Sequence, residues 1–149
     1  TVQAAITAAE TGHLVFATVH TTGAANTVNR IIDAFPMEQQ EQIRTQLAAT
    51  LEAIISQTLL RTADNAGRVA SFEIMFMTDA IRNLVRENKA FRINSFIQTG
   101  GNLGMILLDD FMFNLWSQGR ITFQEMMRYA QDADALQMKV REYTQQQRR

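Results

Sequence analysis

The run His13–Val19, HLVFATV, constrains the fold more than any other stretch of this chain. It is short, continuously apolar and bounded by turn residues: Thr11 and Gly12 before it, Thr21, Thr22 and Gly23 after it. That pattern predicts a strand buried on both faces, because a strand with one wet face would alternate apolar and polar residues. An alanine-rich helix over Val2 to Glu10 precedes it, and Gly12 suits the left-handed position that closes a helix. A loop and cap at Thr21, Thr22 and Gly23 lead to a helix from Ala24 to Ala34. Helix, buried strand, loop and helix in succession are the rhythm of a parallel α/β sheet.

Pro36 fits the first turn of a further helix running to Gln57, with Ile43, Leu47, Leu51, Ile54 and Ile55 at helical spacing. LLRTADNAGRVASFEIMF then reads as two strands around an Asp64-Asn65-Ala66-Gly67 turn. In the second strand Phe72, Ile74 and Phe76 alternate with Ser71, Glu73 and Met75, so one face is expected to be more buried than the other. From Thr78 the period becomes helical. Thr78 can cap a helix carrying Ile81, Leu84 and Val85, while Arg82, Arg86 and Lys89 form a basic stripe, a solvated face or an interaction surface. Helices are also expected at Met105–Gln118 and at Phe123–Gln131, the latter with a Thr122/Glu125 capping box. The C-terminal half is therefore a helical layer or subdomain, ending in a TQQQRR tail expected to be disordered.

Composition removes several classes of function. The chain has 149 residues, enough for one packed domain, and 14 basic residues against 15 acidic ones leave a net charge of −1. Nucleic acid and anionic lipid are poor partners for such a chain, since binding them rests on clustered Lys and Arg. The absence of cysteine excludes disulfides and thiolate metal sites and fits a cytosolic compartment. No apolar run approaches the roughly 20 residues that span a bilayer, so no transmembrane segment is expected. The chain begins at Thr1, without methionine and inside a helix-like run, as expected of a portion of a longer protein.

Both histidines, His13 and His20, sit at the ends of the apolar run. Seven residues of extended chain would hold them about 23 Å apart, so they cannot share a metal ion. Neither a GxSxG elbow nor a cysteine is present to build a hydrolytic triad. A structural role is open to either residue. His20 has the better functional position, at the C-terminal edge of the expected strand, where α/β sheets bind ligands. The stretches TGHL, TTGAAN and TGGNLG contain glycine, but none is a GxxxxGK[ST] phosphate loop, and TGGNLG reads as a linker. Met112, Met126 and Met127 read as core filling.

Three stretches in order, AAITAAETGHLVFATVHTTGAANTVNRIIDAFP, EQIRTQLAATLEAIISQTLL and AIRNLVRENK, closely resemble the secretion-type ATPases of the PilT group, the type IV pilus retraction motors. The resemblance runs from Ala4 to Leu136. It implies part of a RecA-like P-loop ATPase domain, residues 1–77, followed by a C-terminal helical subdomain, residues 78–149. It also implies a homohexamer that uses ATP and Mg2+, works at the cytoplasmic face of the inner membrane, and acts with a pilus platform protein there. GHLVFATVHT resembles the family's His box, which places His20 near the γ-phosphate as contact and sensor, with His13 the other nucleotide-facing histidine. Ala80, Ile81, Arg82, Asn83, Leu84, Val85 and Arg86 resemble the family's AIRNLIR helix, tied to retraction, and differ from it only at Val85.

The family's phosphate loop, acidic box and Walker B segment precede these motifs and are not among the 149 residues. Phosphoryl transfer needs a cradle of amides, a Lys and a magnesium ligand, so these residues alone are expected to hydrolyse no ATP. The chain departs from the family in lacking the proline that often follows Leu59 and Leu60, and in having GMILLDDF where GMQTLDQ is usual. It also lacks the four-cysteine insertion of extension and secretion ATPases, which favours retraction. The alternatives are an extension or type II secretion ATPase of the same superfamily and a non-enzymatic interaction module.

Overall fold

The computed structural model of the chain describes residues 1–147. Among the described residues, eight α-helices and one antiparallel hairpin make up the main regular structure, in the order α1 (Val2–Glu10), α2 (Ala24–Ile32), α3 (Met37–Thr50), β1 (Ala53–Arg61), β2 (Arg68–Phe76), α4 (Asp79–Arg86), α5 (Ile93–Thr99), α6 (Leu108–Ser117), α7 (Phe123–Tyr129) and α8 (Ala133–Gln147). Short 3-10 turns at Ala90–Arg92 and Gly101–Leu103 lead into and out of α5.

The hairpin is the organising element. Its strands pair in register from Ala53 opposite Phe76 to Arg61 opposite Arg68. The turn forms where expected: Asn65 takes a positive φ of 60°, and the Asp64 carboxyl accepts from both Thr62 Oγ1 and the Ala66 N–H. The buried face of β2 is the Val69, Ser71, Glu73, Met75 face. Phe72 and Ile74 lie on the other, half-buried face, where Phe72 meets the Phe111 ring edge-on at 5.6 Å and Ile74 bridges to Ile106.

Two hydrophobic clusters flank this hairpin. Ile54 and Met75 belong to the first, with Ile6, Val28, Ile43, Leu47, Ile81, Leu84 and Val85 among its members. Leu60 and Val69 belong to the second, with Leu108, Met112, Leu115, Met126 and Leu136. Met112 and Met126 are fully buried, so they do fill the core.

Several expectations are corrected. The run His13–Val19 is no buried strand: it has no regular secondary structure, it pairs with no strand among the described residues, and Leu14 and Phe16 are 83% and 88% exposed. Burying both faces of a strand needs elements on both sides of it, and the described residues place none there. The helix expected from Pro36 to Gln57 stops at Thr50, and Ala53 begins β1. The β-branched pair Ile54-Ile55 favours a pleated strand, and its pairing to β2 outweighs the helical spacing. The helix expected from Met105 starts at Leu108, because Ile106 is drawn into its bridge with Ile74. Of the tail expected to be disordered, Thr144–Gln147 continue α8, and Arg148 and Arg149 lie outside the described residues. The short helix α5 and the long, polar α8 were not expected at all.

Candidate functional site

Gly23 starts α2 with a φ of +89°, a left-handed conformation that suits glycine, and it offers no side chain to cap the helix. Caps come instead from the hairpin, from residues distant in sequence. The Gly23 N–H donates to Ser56 Oγ at 2.9 Å, and the Ala24 N–H donates to Glu73 Oε1 at 2.7 Å. Ser56 and Glu73 are buried and directly opposite one another across the ladder. Thr27 Oγ1 donates back to the Gly23 carbonyl at 2.8 Å and lies 2.8 Å from Thr21 Oγ1, which closes the loop on itself. His20 and Thr22 are held exposed at the mouth of this loop, just before the helix N-terminus.

The two histidines differ in what they touch. His13 Nδ1 sits 3.1 Å from Thr11 Oγ1 and 3.3 Å from the Ala8 carbonyl oxygen, and the His13 N–H donates to the same carbonyl at 3.1 Å. It thus closes the C-terminus of α1, where backbone carbonyls lack helical partners. The His20 ring makes no hydrogen bond with the described residues and is exposed. The structure therefore keeps the two rings apart in role, one committed to a helix end and one presented outward.

In the Ala80–Arg86 helix, Thr78 Oγ1 accepts the Ile81 N–H at 3.3 Å, the cap expected of it. Ile81, Leu84 and Val85 are buried and Ala80 is half-buried. The basic stripe is split. Arg82 Nη1 donates to the Ala48, Leu51 and Ala49 carbonyls at 2.6, 3.2 and 3.4 Å, closing the end of α3, and Nη2 lies 3.3 Å from Glu52 Oε1. Among the described residues Arg86 reaches only its neighbour Asn83, and Lys89 pairs with Glu87 at 2.7 Å; these side chains are exposed. The Glu87 carboxyl is held below its ordinary range, chiefly by the Lys89 hydrogen bond and charge.

Glu125 departs from the expected capping box. Thr122 Oγ1 accepts the Glu125 N–H at 3.1 Å, but the Glu125 carboxyl turns away to accept the Arg61 N–H at 2.8 Å and stays buried. Sequence reasoning also missed Ser56 and Glu73. The available signal was Glu73, a carboxylate between the apolar residues Phe72 and Ile74.

Among the described residues no group of three or more His, Asp or Glu side chains could hold a metal ion. No helix of the described residues is long and apolar enough to cross a membrane.

The chain matches the family described as Type II/IV secretion system protein over residues 1–149. It is 51% identical over 136 residues to a twitching motility protein of Neisseria gonorrhoeae, which takes in 91% of this chain and 36% of that protein. It is 51% identical over 122 residues to the type IV pilus retraction ATPase PilT of Pseudomonas aeruginosa, 82% of this chain and 35% of that one. A crystal structure of the pilus retraction motor PilT with bound ADP superposes with a TM-score of 0.82 at 42% identity, covering 92% of this chain and 38% of that one. The chain thus spans little more than a third of the length of the relatives it matches. Its helices and hairpin form an α/β part of the RecA-like P-loop ATPase fold. With the whole chain matched and its elements superposed on a pilus motor, it belongs to the Type II/IV secretion system protein family.

Proposed function

We propose that the chain is the C-terminal part of a hexameric P-loop ATPase that couples ATP hydrolysis to type IV pilus retraction, and so to twitching motility. The observation that carries this is His20: an exposed imidazole with no partner among the described residues, held at the mouth of a loop whose backbone is clamped from beneath. A neutral imidazole donates from one ring nitrogen and a protonated one from both, so His20 suits a γ-phosphate oxygen and reports its loss on hydrolysis. The exposed Thr22 hydroxyl beside it offers a further donor. The similarity to a motor crystallised with ADP supports nucleotide as the ligand. ATP is used with Mg2+, for which no ligand is assigned among these residues. His13, in the same motif, faces the nucleotide as the weaker contact, since its ring also serves α1.

In this reading residues 1–77 complete the ATPase core and residues 78–149 form the helical subdomain, with Ala80–Arg86 as the coupling element. The motor sits at the cytoplasmic face of the inner membrane against a pilus platform protein. The 149 residues alone turn over no ATP, as none of them forms a GxxxxGK[ST] loop.

The test is kinetic and uses the whole protein. His20→Ala should lower turnover more than it lowers nucleotide affinity, and His13→Ala should lower it less. Unchanged turnover in His20→Ala removes that residue from the mechanism, and a whole protein that binds no ATP overturns the motor reading. Deleting the gene should leave cells piliated but unable to twitch; bald cells would assign the motor to extension instead.

A further inference from the structure

Two helices of this chain begin without caps of their own and share one supplied from elsewhere. The cap position of α2 is Gly23 and that of α6 is Leu107, neither of which has a side-chain acceptor. Glu73, 1% exposed on the inner face of β2, serves both. Its Oε1 accepts the Ala24 N–H at 2.7 Å and its Oε2 accepts the Leu108 N–H at 3.3 Å, the first helical amide of each helix. No cation pairs with it among the described residues. A carboxyl group in a core costs free energy unless its oxygens are hydrogen-bonded, and here the positive ends of two helices supply those bonds.

The geometry around Gly23 adds a constraint. A Cβ at Gly23 would come within 3.6 Å of Glu73 Oε1 and 3.3 Å of Gln131 Nε2, so the loop lies in contact range of the carboxyl. Ser56, opposite Glu73, holds the preceding amide. Three residues before that amide stands His20.

We propose that Glu73 is a positioning residue: it sets the loop that carries His20 and ties the placement of that loop to α6 in the C-terminal helical layer. Its two oxygens belong to one rigid group, so a displacement of the α2 start reaches the α6 start through a single side chain. Ser56 anchors the loop but has no bond to α6, which makes it the local comparison.

The inference rests on the nucleotide-facing role proposed for His20, and the experiment separates the two. In the whole protein, Glu73→Gln puts an amide donor against one of the two backbone donors at nearly unchanged volume. We expect kcat for ATP hydrolysis to fall about ten- to a hundredfold, as for other displacements of a positioned group, with KM within about twofold. In a His20→Ala background the same change should cost nothing further, because Glu73 acts through His20. Losses that multiply in the double variant, or an unchanged kcat in Glu73→Gln, overturn the positioning role. Amide hydrogen exchange gives a readout independent of activity. Glu73→Met, which removes both acceptor oxygens at similar length, should speed exchange at Ala24 and Leu108 together, whereas Ser56→Ala should speed it at Gly23 without moving Leu108. Exchange that rises at only one of Ala24 and Leu108 overturns the link to α6. A wild-type protein without ATPase activity would overturn the motor reading while the exchange result still decides the link.

Discussion

Arg82 Nη1 lies 2.6 Å from the Ala48 carbonyl oxygen, so a guanidinium on α4 closes the C-terminus of α3. Three α3-end carbonyls share this one group, and a cation there also complements the negative end of the helix dipole. Arg82→Ala should therefore destabilise the whole protein by about 1.5–3 kcal/mol, the usual worth of hydrogen bonds to a charged group. The Glu52 partner is 79% exposed and adds little, so Glu52→Ala should be close to neutral. Arg82→Lys should recover only part of the loss, because its ammonium ends one bond short of Nη1, the atom that makes all three carbonyl contacts. Urea midpoints measure all three, and a wild-type midpoint for Arg82→Ala would refute the capping role.

The same helix separates stability from coupling at single-residue resolution. Leu84 is 6% exposed in the first hydrophobic cluster, and Leu84→Ala should cost about 2–5 kcal/mol through loss of burial and a cavity. Arg86 is exposed and bonded only to Asn83 on its own helix, so Arg86→Ala should change stability by no more than about 0.5 kcal/mol. If this helix couples hydrolysis to retraction, Arg86→Ala should still reduce twitching. Twitching at the wild-type level with a wild-type unfolding midpoint would exclude Arg86 from the coupling face.

The hairpin turn carries a pH dependence of defined sign. The Asp64 carboxyl is held below its ordinary value of 3.8, first by the Thr62 hydroxyl at 2.6 Å and then by the Ala66 N–H at 3.0 Å. A folded value below the unfolded one means that the turn gains stability from ionised Asp64 above the unfolded pKa, and loses it as pH falls through the lowered folded value. Carboxyl titration followed by NMR should place Asp64 below ordinary aspartates, and Thr62→Val should move it back up. An unmoved titration in Thr62→Val would assign the shift to another cause.

Much of the local structure is written in short-range chemistry. Thr78 and Thr122 cap the helices their positions imply, and Asp64 to Gly67 turn the chain where turn residues cluster. The failures share one cause, in that burial depends on neighbours that local pattern cannot supply. HLVFATV has the composition of a buried strand and lies exposed. Ile54 continues the helical spacing of Leu47 and Leu51, yet it pairs in a ladder with the distant Met75. The expectation that one face of β2 is more buried holds, and the buried face is that of Ser71 and Glu73 rather than the more hydrophobic one of Phe72 and Ile74. Glu73 and Ser56 find backbone amides of α2 waiting there, a long-range fact with no periodic signature. Helix α8 escaped notice because Leu136 is its one fully buried residue. For the site, position and the family motif already set His20 above His13 in the sequence, and the structure adds that the His13 ring is bonded at the end of α1 while His20 is exposed.

The hairpin register has a consequence for how the chain comes apart. Ile54 stands opposite Met75 near one end of the ladder and Leu60 opposite Val69 near the other, and each pair is embedded in a different hydrophobic cluster. Each cluster therefore grips both strands, and neither can be stripped away without unzipping its own end of the ladder. The hairpin is thus a spine shared by the two cores, and loosening either core exposes its own end of the same ladder.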